Sequence, residues 1–471
     1  MTDVTHLSLT EVASAIRDKR VSSVEVTEAC LARIERHQPA LNCFISVEAG
    51  DVLDAAKAAD EKLARDPEAC GPLHGVPLAH KDMFYRAGKI CTCGSKIRRG
   101  WRPDYTATVI ERLEAAGALQ AGTLNMVEFA AGSTGHNEHF GDCFNPWNVE
   151  HSPGASSSGS GSAVAARLVY GAMGSDTGGS VRLPAMQCGL AGLKPGYGRV
   201  SRYGAMPRSY ATDSMGPLTR TVRDCARMTK VIAGRDPKDG YTVHVEVPDY
   251  EARLEDNVRG MRVGVPTSYF YDAVDAEMEA AVMARLDVYP GLGVEVAEVD
   301  IPDLEQIYEL AQVGLKAEAS AIHEEWLRTR PQDYSDGIRG ELESGLLIPA
   351  VRYLEAQRMR EPKMVEFVER VFGKVDVLHA PVSEDAAPEM ADVSPGNAER
   401  AAELMHRVAR LTRPVGYLGL PALAVPCGFN RKGLPLGFQL IGRPFSEARL
   451  FTLGHAYQRE TDWHEKVPPL Q

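Results

Sequence analysis

The segment from His151 to Arg182, HSPGASSSGSGSAVAARLVYGAMGSDTGGSVR, holds eight serines and seven glycines. Two hydroxyl- and glycine-rich clusters, 154–160 and 176–180, bracket the run 162–170, which is small and apolar and suits a buried helix or strand. A flexible Gly/Ser linker is low in complexity and carries no such apolar core. Glycines also let backbone N–H groups approach a ligand closely. The segment therefore reads as a catalytic or anion-binding scaffold, and the rest of the chain must fold around it.

The flanking sequence supplies the layers. Ser8 and Glu11 form a capping-box pattern, and Ser22 or Ser23 starts a second helix. A third, alanine-rich helix is expected over 52–65. An apolar strand runs from Val76 to Asp82 and ends in charge, a helix over 107–116 ends near Gly117, and a short strand follows over 119–123. Beyond the central segment, strands or tight loops are expected over 189–195 and 200–206, and a helix over 221–232. Residues 237–258 are polar and turn-rich. Strand, helix and strand follow over 261–265, 276–286 and 294–299, then long helices over 304–329 and 348–372. Strands over 375–380, 421–426 and 434–441, with helices over 401–412 and 448–458, close the chain. This alternation predicts an α/β fold with helices covering a sheet.

The chain of 471 residues carries a net charge of −12, which argues against a nucleic-acid-binding surface. By length alone it would hold roughly two to three domains. Its nine cysteines form no CxxC pair, and the lone CxC of Cys91 and Cys93 is a weak metal signal. Scattered, odd-numbered cysteines suit a reducing compartment. The opening residues show no secretory signal, and no apolar run nears the ~20 residues that span a membrane. A soluble, cytoplasmic protein is expected. His136–Asn137–Glu138–His139 is not an HExxH motif and reads as loop or pocket wall. No GxxxxGK[ST] phosphate loop occurs.

Ser180 follows Gly178–Gly179, where the backbone can turn sharply. As a nucleophile it would need a base. The N–H groups of Thr177, Gly178, Gly179 and Ser180 could then converge as an oxyanion hole. The same residues also fit a plain Gly-Gly turn with a helix-capping serine. The GxSxG elbow is absent and no histidine is near in sequence, which leaves a histidine from a distant segment or a lysine as the base. Lys81 ends an apolar strand. It is either a surface lysine beyond the strand or a buried amine whose pKa burial would lower. Asp82 need not pair with it, because successive strand side chains point to opposite faces.

Three motifs carry a resemblance: Gly75-Val76-Pro77-Leu78-Ala79-His80-Lys81-Asp82, the serine-rich run 154–160, and Asp176-Thr177-Gly178-Gly179-Ser180-Val181-Arg182. Ser156 lies 24 residues before Ser180 and 75 after Lys81. Together with Asn145-Pro146-Trp147, Gly192-Leu193-Lys194-Pro195 and Gly419-Leu420-Pro421-Ala422, they make most of the chain resemble the amidase signature family. The resemblance implies one amidase domain over 1–471. Its parts are an N-terminal helical part (about 1–70), a catalytic core (about 71–235), a more variable region (about 236–374) and a C-terminal return to the sheet (about 375–471). The sheet would be large and mixed, with helices on both faces.

The resemblance further implies a triad. Ser180 attacks the amide and forms an acyl-enzyme. Ser156, on a cis peptide bond after Ala155, relays protons to a neutral Lys81. Ser157, Asp176 and Arg182 support these residues, and no metal or organic cofactor is implied. Ala155 and Ser158 stand where the family commonly has glycine. Met126, Gly132, Ser133, Thr134 and Ser158 are candidates for the substrate pocket. Tyr308, Trp326, Tyr334 and Tyr353 are candidates for the acyl side.

Asn125-Met126-x-Glu128-Phe129 resembles the A subunit of glutamyl-tRNA amidotransferase, a member of the same family. That protein holds glutamine with an arginine and an aspartate, where this chain has Ser344 or Gly345 and Ala409. The expectation is therefore a stand-alone amidase acting on a small or aryl amide, with no nucleic acid or membrane among its partners. Homodimers are common among such enzymes. The alternatives are a urea- or carbamoyl-type hydrolase, a non-catalytic scaffold, and the glutaminase (A) component of a tRNA-dependent amidotransferase.

Overall fold

The structure, a computed structural model, describes residues 3–393 and 398–470. Its strands in chain order are β1 (Phe44–Val47), β2 (Pro77–Lys81), β3 (Leu119–Leu124), β4 (Gly171–Asp176), β5 (Ala191–Lys194), β6 (Ser214–Thr219), β7 (Arg262–Pro266), β8 (Glu295–Val299), β9 (Val377–Pro381), β10 (Ala422–Phe429) and β11 (Pro435–Ile441). They form one 11-stranded sheet in the order β1-β3-β2-β4-β6-β5-β10-β11-β9-β7-β8. The sheet is mixed. β2 runs parallel to β3 and β4, and β7 parallel to β8 and β9, while β4/β6, β5/β6, β5/β10 and β10/β11 are antiparallel. This is the large mixed sheet that the family resemblance implies; the strand–helix alternation by itself points to parallel pairing, which holds for β2 with β3 and β4 and for β7 with β8 and β9.

The central strands β2, β4, β5, β6 and β9 are buried at every residue, as strands covered on both faces must be. The helix Ser158–Ala165 is likewise buried throughout. It starts and ends earlier than the expected 162–170. The amphipathic N-terminal helices behave as their patterns predict. Leu9–Arg17 is capped by Ser8 with Glu11 bonding back, and Ser23–Leu41 by Ser22 with Glu25 bonding back. The helix Leu304–Thr329 has the expected bounds. Residues 200–206 form no strand. Only isolated bridges, Phe84 with Ala205 and Val200 with Ala233, touch that region. No helix among the described residues is long and apolar enough to cross a membrane.

Close approach of β5 and β6 depends on a residue without a side chain. A Cβ at Gly216 in β6 would fall 1.9 Å from the Leu193 carbonyl oxygen. Overpacking a core typically costs about 1–3 kcal/mol. Gly216→Ala should therefore lower the urea midpoint by at least that equivalent, and an unchanged midpoint would show that β5 and β6 are spaced differently.

Candidate active site

β2 and β4 are parallel neighbours, with Ala79 opposite Ala172 and His80 opposite Met173, so their C-terminal ends lie on one edge of the sheet. Lys81 ends β2, and Ser175 and Asp176 end β4. The loop into the helix Ser158–Ala165 brings Ser156 to the same place. Lys81 Nζ donates to Ser156 Oγ at 2.7 Å and to Ser175 Oγ at 2.9 Å. Lys81 is fully buried, and burial lowers its amine to about 7, with Asp213 and Asp176 opposing the shift. Asp82 is turned to Thr92, whose N–H donates to its carboxylate at 3.0 Å.

Ser156 touches both of the other residues. Its Oγ accepts from Lys81, and its N–H donates to Ser180 Oγ at 3.3 Å. The resemblance implied a cis bond before Ser156. The structure corrects this: no peptide bond among the described residues is cis. The chain reverses instead through left-handed backbone at Gly154 (φ +98°) and Ala155 (φ +43°).

Asp176 organises the loop that carries Ser180. Its carboxylate accepts from the N–H of Gly179 at 2.8 Å and of Val181 at 3.3 Å, and from Arg182 Nε and Nη2 at 3.0 Å each. Arg182 also donates to the Thr412 carbonyl (2.9 Å) and to Gln439 Oε1 (3.0 Å). Burial pushes the Asp176 carboxyl up, but Arg182 overcomes this and the group ends below its ordinary value. Because the Gly179 N–H is bonded to Asp176, it is not free for an oxyanion, which corrects the expected set of four donors. Gly179 has φ +132°, and a Cβ there would meet Thr412 Oγ1 at 2.3 Å. Thr177 Oγ1 donates to Asp213 Oδ1 at 2.6 Å, and Thr412 Oγ1 to the Gly178 carbonyl at 2.6 Å.

Ser157 exchanges hydrogen bonds of 3.3 Å with the Ser175 backbone, so it braces the strand that carries the second hydroxyl on Lys81. Sequence reasoning missed Ser175, Asp213 and Thr412. Ser175 sits in a strand of small residues with no polar-apolar alternation. Asp213 and Thr412 arrive from distant segments that carry no motif of their own.

Ser180 opens on a cavity of about 410 Å³ whose walls include Gly132, Ser133, Tyr308, Ser344 and Arg413. Three pocket candidates are corrected. Met126 is fully buried and does not line the cavity, Thr134 is buried with its carbonyl accepting from Ser152 Oγ, and Ser158 is buried inside its helix. Of the aromatic candidates, Tyr308 reaches the cavity. Trp326 and Tyr334 pack on Phe129, and the Tyr353 hydroxyl donates to Glu318. A Cβ at Gly345 would fall 2.2 Å from the Lys316 carbonyl oxygen, so no larger side chain fits there, and Ala409 is buried; neither brings charge to the site. His136 pairs with Asp142 at 2.6 Å and His139 with Glu128 at 3.0 Å.

The amidase family profile matches residues 25–451. The chain belongs to the amidase signature family. The A subunit of glutamyl-tRNA(Gln) amidotransferase from Chloroflexus aurantiacus is 39% identical over 492 aligned residues, covering 100% of both chains. The solved structure of its counterpart from Thermotoga maritima superposes with a TM-score of 0.83 at 30% identity, covering 100% of this chain and 99% of that one. A chain from a structure described as a vestigial protein complex, bearing on the origins of an s-triazine catabolic enzyme, reaches 0.90 at 33% identity, covering 99% and 100%. As an amidase signature enzyme, this chain acts on an amide C–N bond. The relatives correct the expected partners. A lone small-amide amidase with no nucleic acid in its setting does not fit end-to-end likeness to proteins named as one subunit of a glutamyl-tRNA(Gln) enzyme.

The Asp176–Arg182 pair is fully buried. Removing one partner of such a pair typically costs about 3–5 kcal/mol. Asp176→Asn should therefore destabilise the amidase by that order in denaturant unfolding, and a loss below about 1 kcal/mol would show that the loop does not depend on the pair.

Proposed function

We propose that this chain is the amide-cleaving A subunit of an amidotransferase, releasing ammonia from a carboxamide donor through an acyl-enzyme on Ser180. The 2.7 Å hydrogen bond from buried Lys81 to Ser156 Oγ carries the chemistry, because a lysine tuned to about 7 can be a neutral base at working pH. The whole-length likeness to the amidotransferase relatives supports the setting.

In this reading Ser180 Oγ attacks the amide carbon. Its proton passes to Ser156 Oγ as the Ser156 proton passes to Lys81. The N–H groups of Thr177, Gly178 and Ser180 stabilise the oxyanion. The tetrahedral intermediate collapses, the C–N bond breaks, and the leaving nitrogen takes the proton back along the same path. Water then repeats the sequence on the ester and releases the acid. One observation favours a donor other than glutamine: Ser344, Gly345 and Ala409 lack the charges by which the resemblance would hold that amino acid.

Ammonia release tests this reading, with glutamine and small carboxamides as donors, by the chain and by the chain assembled with the remaining subunits and charged tRNA. Release that rises on assembly supports it; full turnover of carboxamides by the chain alone, unchanged when the remaining subunits and charged tRNA are added, overturns it. Ser180→Ala should abolish turnover in a folded protein, whereas retained turnover would assign the nucleophile elsewhere.

The base must be neutral, and its pKa is lowered from 10.5 to about 7. kcat/KM should therefore be lost as pH falls through about 7 and level off above it. Lys81→Ala should remove this limb and lower kcat by about 10²–10⁴. A profile flat from pH 5 to 9 would contradict Lys81 as base.

A further inference from the structure

The cavity in front of Ser180 is charged in one direction. Arg208, Lys316 and Arg413 line it, and the carboxylate among its described walls, Glu341, is bound by Arg208. Lys316 Nζ has no hydrogen-bond or ion-pair partner among the described residues. Arg413 has no acidic partner among them either: Nη1 donates to the Tyr308 hydroxyl at 3.0 Å, and its buried Nε is unpartnered. Arg208, 3% exposed, leaves its Nη1 unpartnered as well. His406, which hydrogen-bonds Tyr308 at 2.9 Å, is held below its ordinary value by burial and by Arg413. It adds no charge at neutral pH. A net positive cavity in a chain of net charge −12 is a local feature that needs an account. Arg413 and Lys316 are half-buried on the cavity wall, and an anion entering it would take charge-assisted hydrogen bonds from donors that no carboxylate of the described residues occupies.

The position of Arg413 is specific. Its Nε lies 3.1 Å from where a Cβ on Gly178 would sit, beside the loop that carries Ser180. Tyr308, itself bonded to His406, fixes the guanidinium there. We propose that the amide cleaved at Ser180 belongs to a carboxylate-bearing substrate, and that Arg413 is the specificity-determining residue that receives the carboxylate, with Lys316 as the second cation of the same wall. This rests on the reading of Ser180 as the acylated residue. With no free carboxylate on the described wall to meet an ammonium, the monoamide of a dicarboxylic acid fits better than an amide of a free amino acid.

The test compares glutaric acid monoamide, glutamine and pentanamide as substrates, with calorimetric binding of glutarate as a readout independent of turnover. A charge-assisted contact corresponds to about a 10- to 100-fold preference. kcat/KM for the monoamide should exceed that for pentanamide by this factor, chiefly through KM, and exceed that for glutamine. Glutarate should bind. Arg413→Gln should bring the monoamide/pentanamide ratio toward one and abolish glutarate binding, and Lys316→Met, at a partly exposed site, should lower both less. Equal kcat/KM for monoamide and pentanamide in the unmodified protein, or undiminished glutarate binding by folded Arg413→Gln, would overturn the proposal. If no amide is cleaved, the Ser180 reading fails, while glutarate binding still decides the role of Arg413.

Discussion

Asp176 and Arg182 meet where neither a carboxylate nor a guanidinium could be held alone at reasonable cost. Their geometry does more than neutralise charge. The carboxylate collects the N–H groups of Gly179 and Val181, and the guanidinium reaches across to the Thr412 carbonyl and to Gln439 on β11. The turn carrying Ser180 is therefore tied to the end of β4 on one side and to the C-terminal part of the chain on the other. The shape of the site depends on this one pair, and the segment 176–182 can be glycine-rich without being loose.

Burial alone does not mark the base. Lys194 is as deeply buried as Lys81, and burial likewise lowers its amine to about 7. Lys194 Nζ donates to two backbone carbonyls, of Pro195 at 3.0 Å and Leu420 at 2.8 Å, which hold no proton to exchange. Lys81 donates to two serine hydroxyls. The first arrangement ties β5 to a neighbouring loop; the second can pass a proton on. The distinction between a structural and a chemically competent lysine lies in the partners.

Much of this was legible in the sequence. The capping box at Ser8 and the helix Leu304–Thr329 follow from local patterns that tertiary packing does not override, whereas the box at Ser22 with Glu25 emerges only in the structure. The approach of Lys81, Ser156 and Ser180 was legible through motifs at characteristic spacing. The strand β4 was not, because GAMGSD has neither alternation nor β-branched residues and is a strand only by being enclosed. Ser175 went unseen for the same reason. The pocket was least legible. Met126, Thr134 and Ser158 lie near the motifs in sequence yet face the core, while Arg413 and Lys316 come from distant helices that meet only in the folded chain.

The central claim is that Ser180 is the residue that becomes acylated, activated through Ser156 by Lys81. The most direct measurement is peptide mapping by mass spectrometry after reaction with a serine-directed fluorophosphonate, in the unmodified protein and in Lys81→Ala. The account predicts a single adduct on the peptide containing Ser180, formed far more slowly in the variant. An adduct on Ser156 or elsewhere, or equal labelling of Ser180 in both proteins, would contradict it.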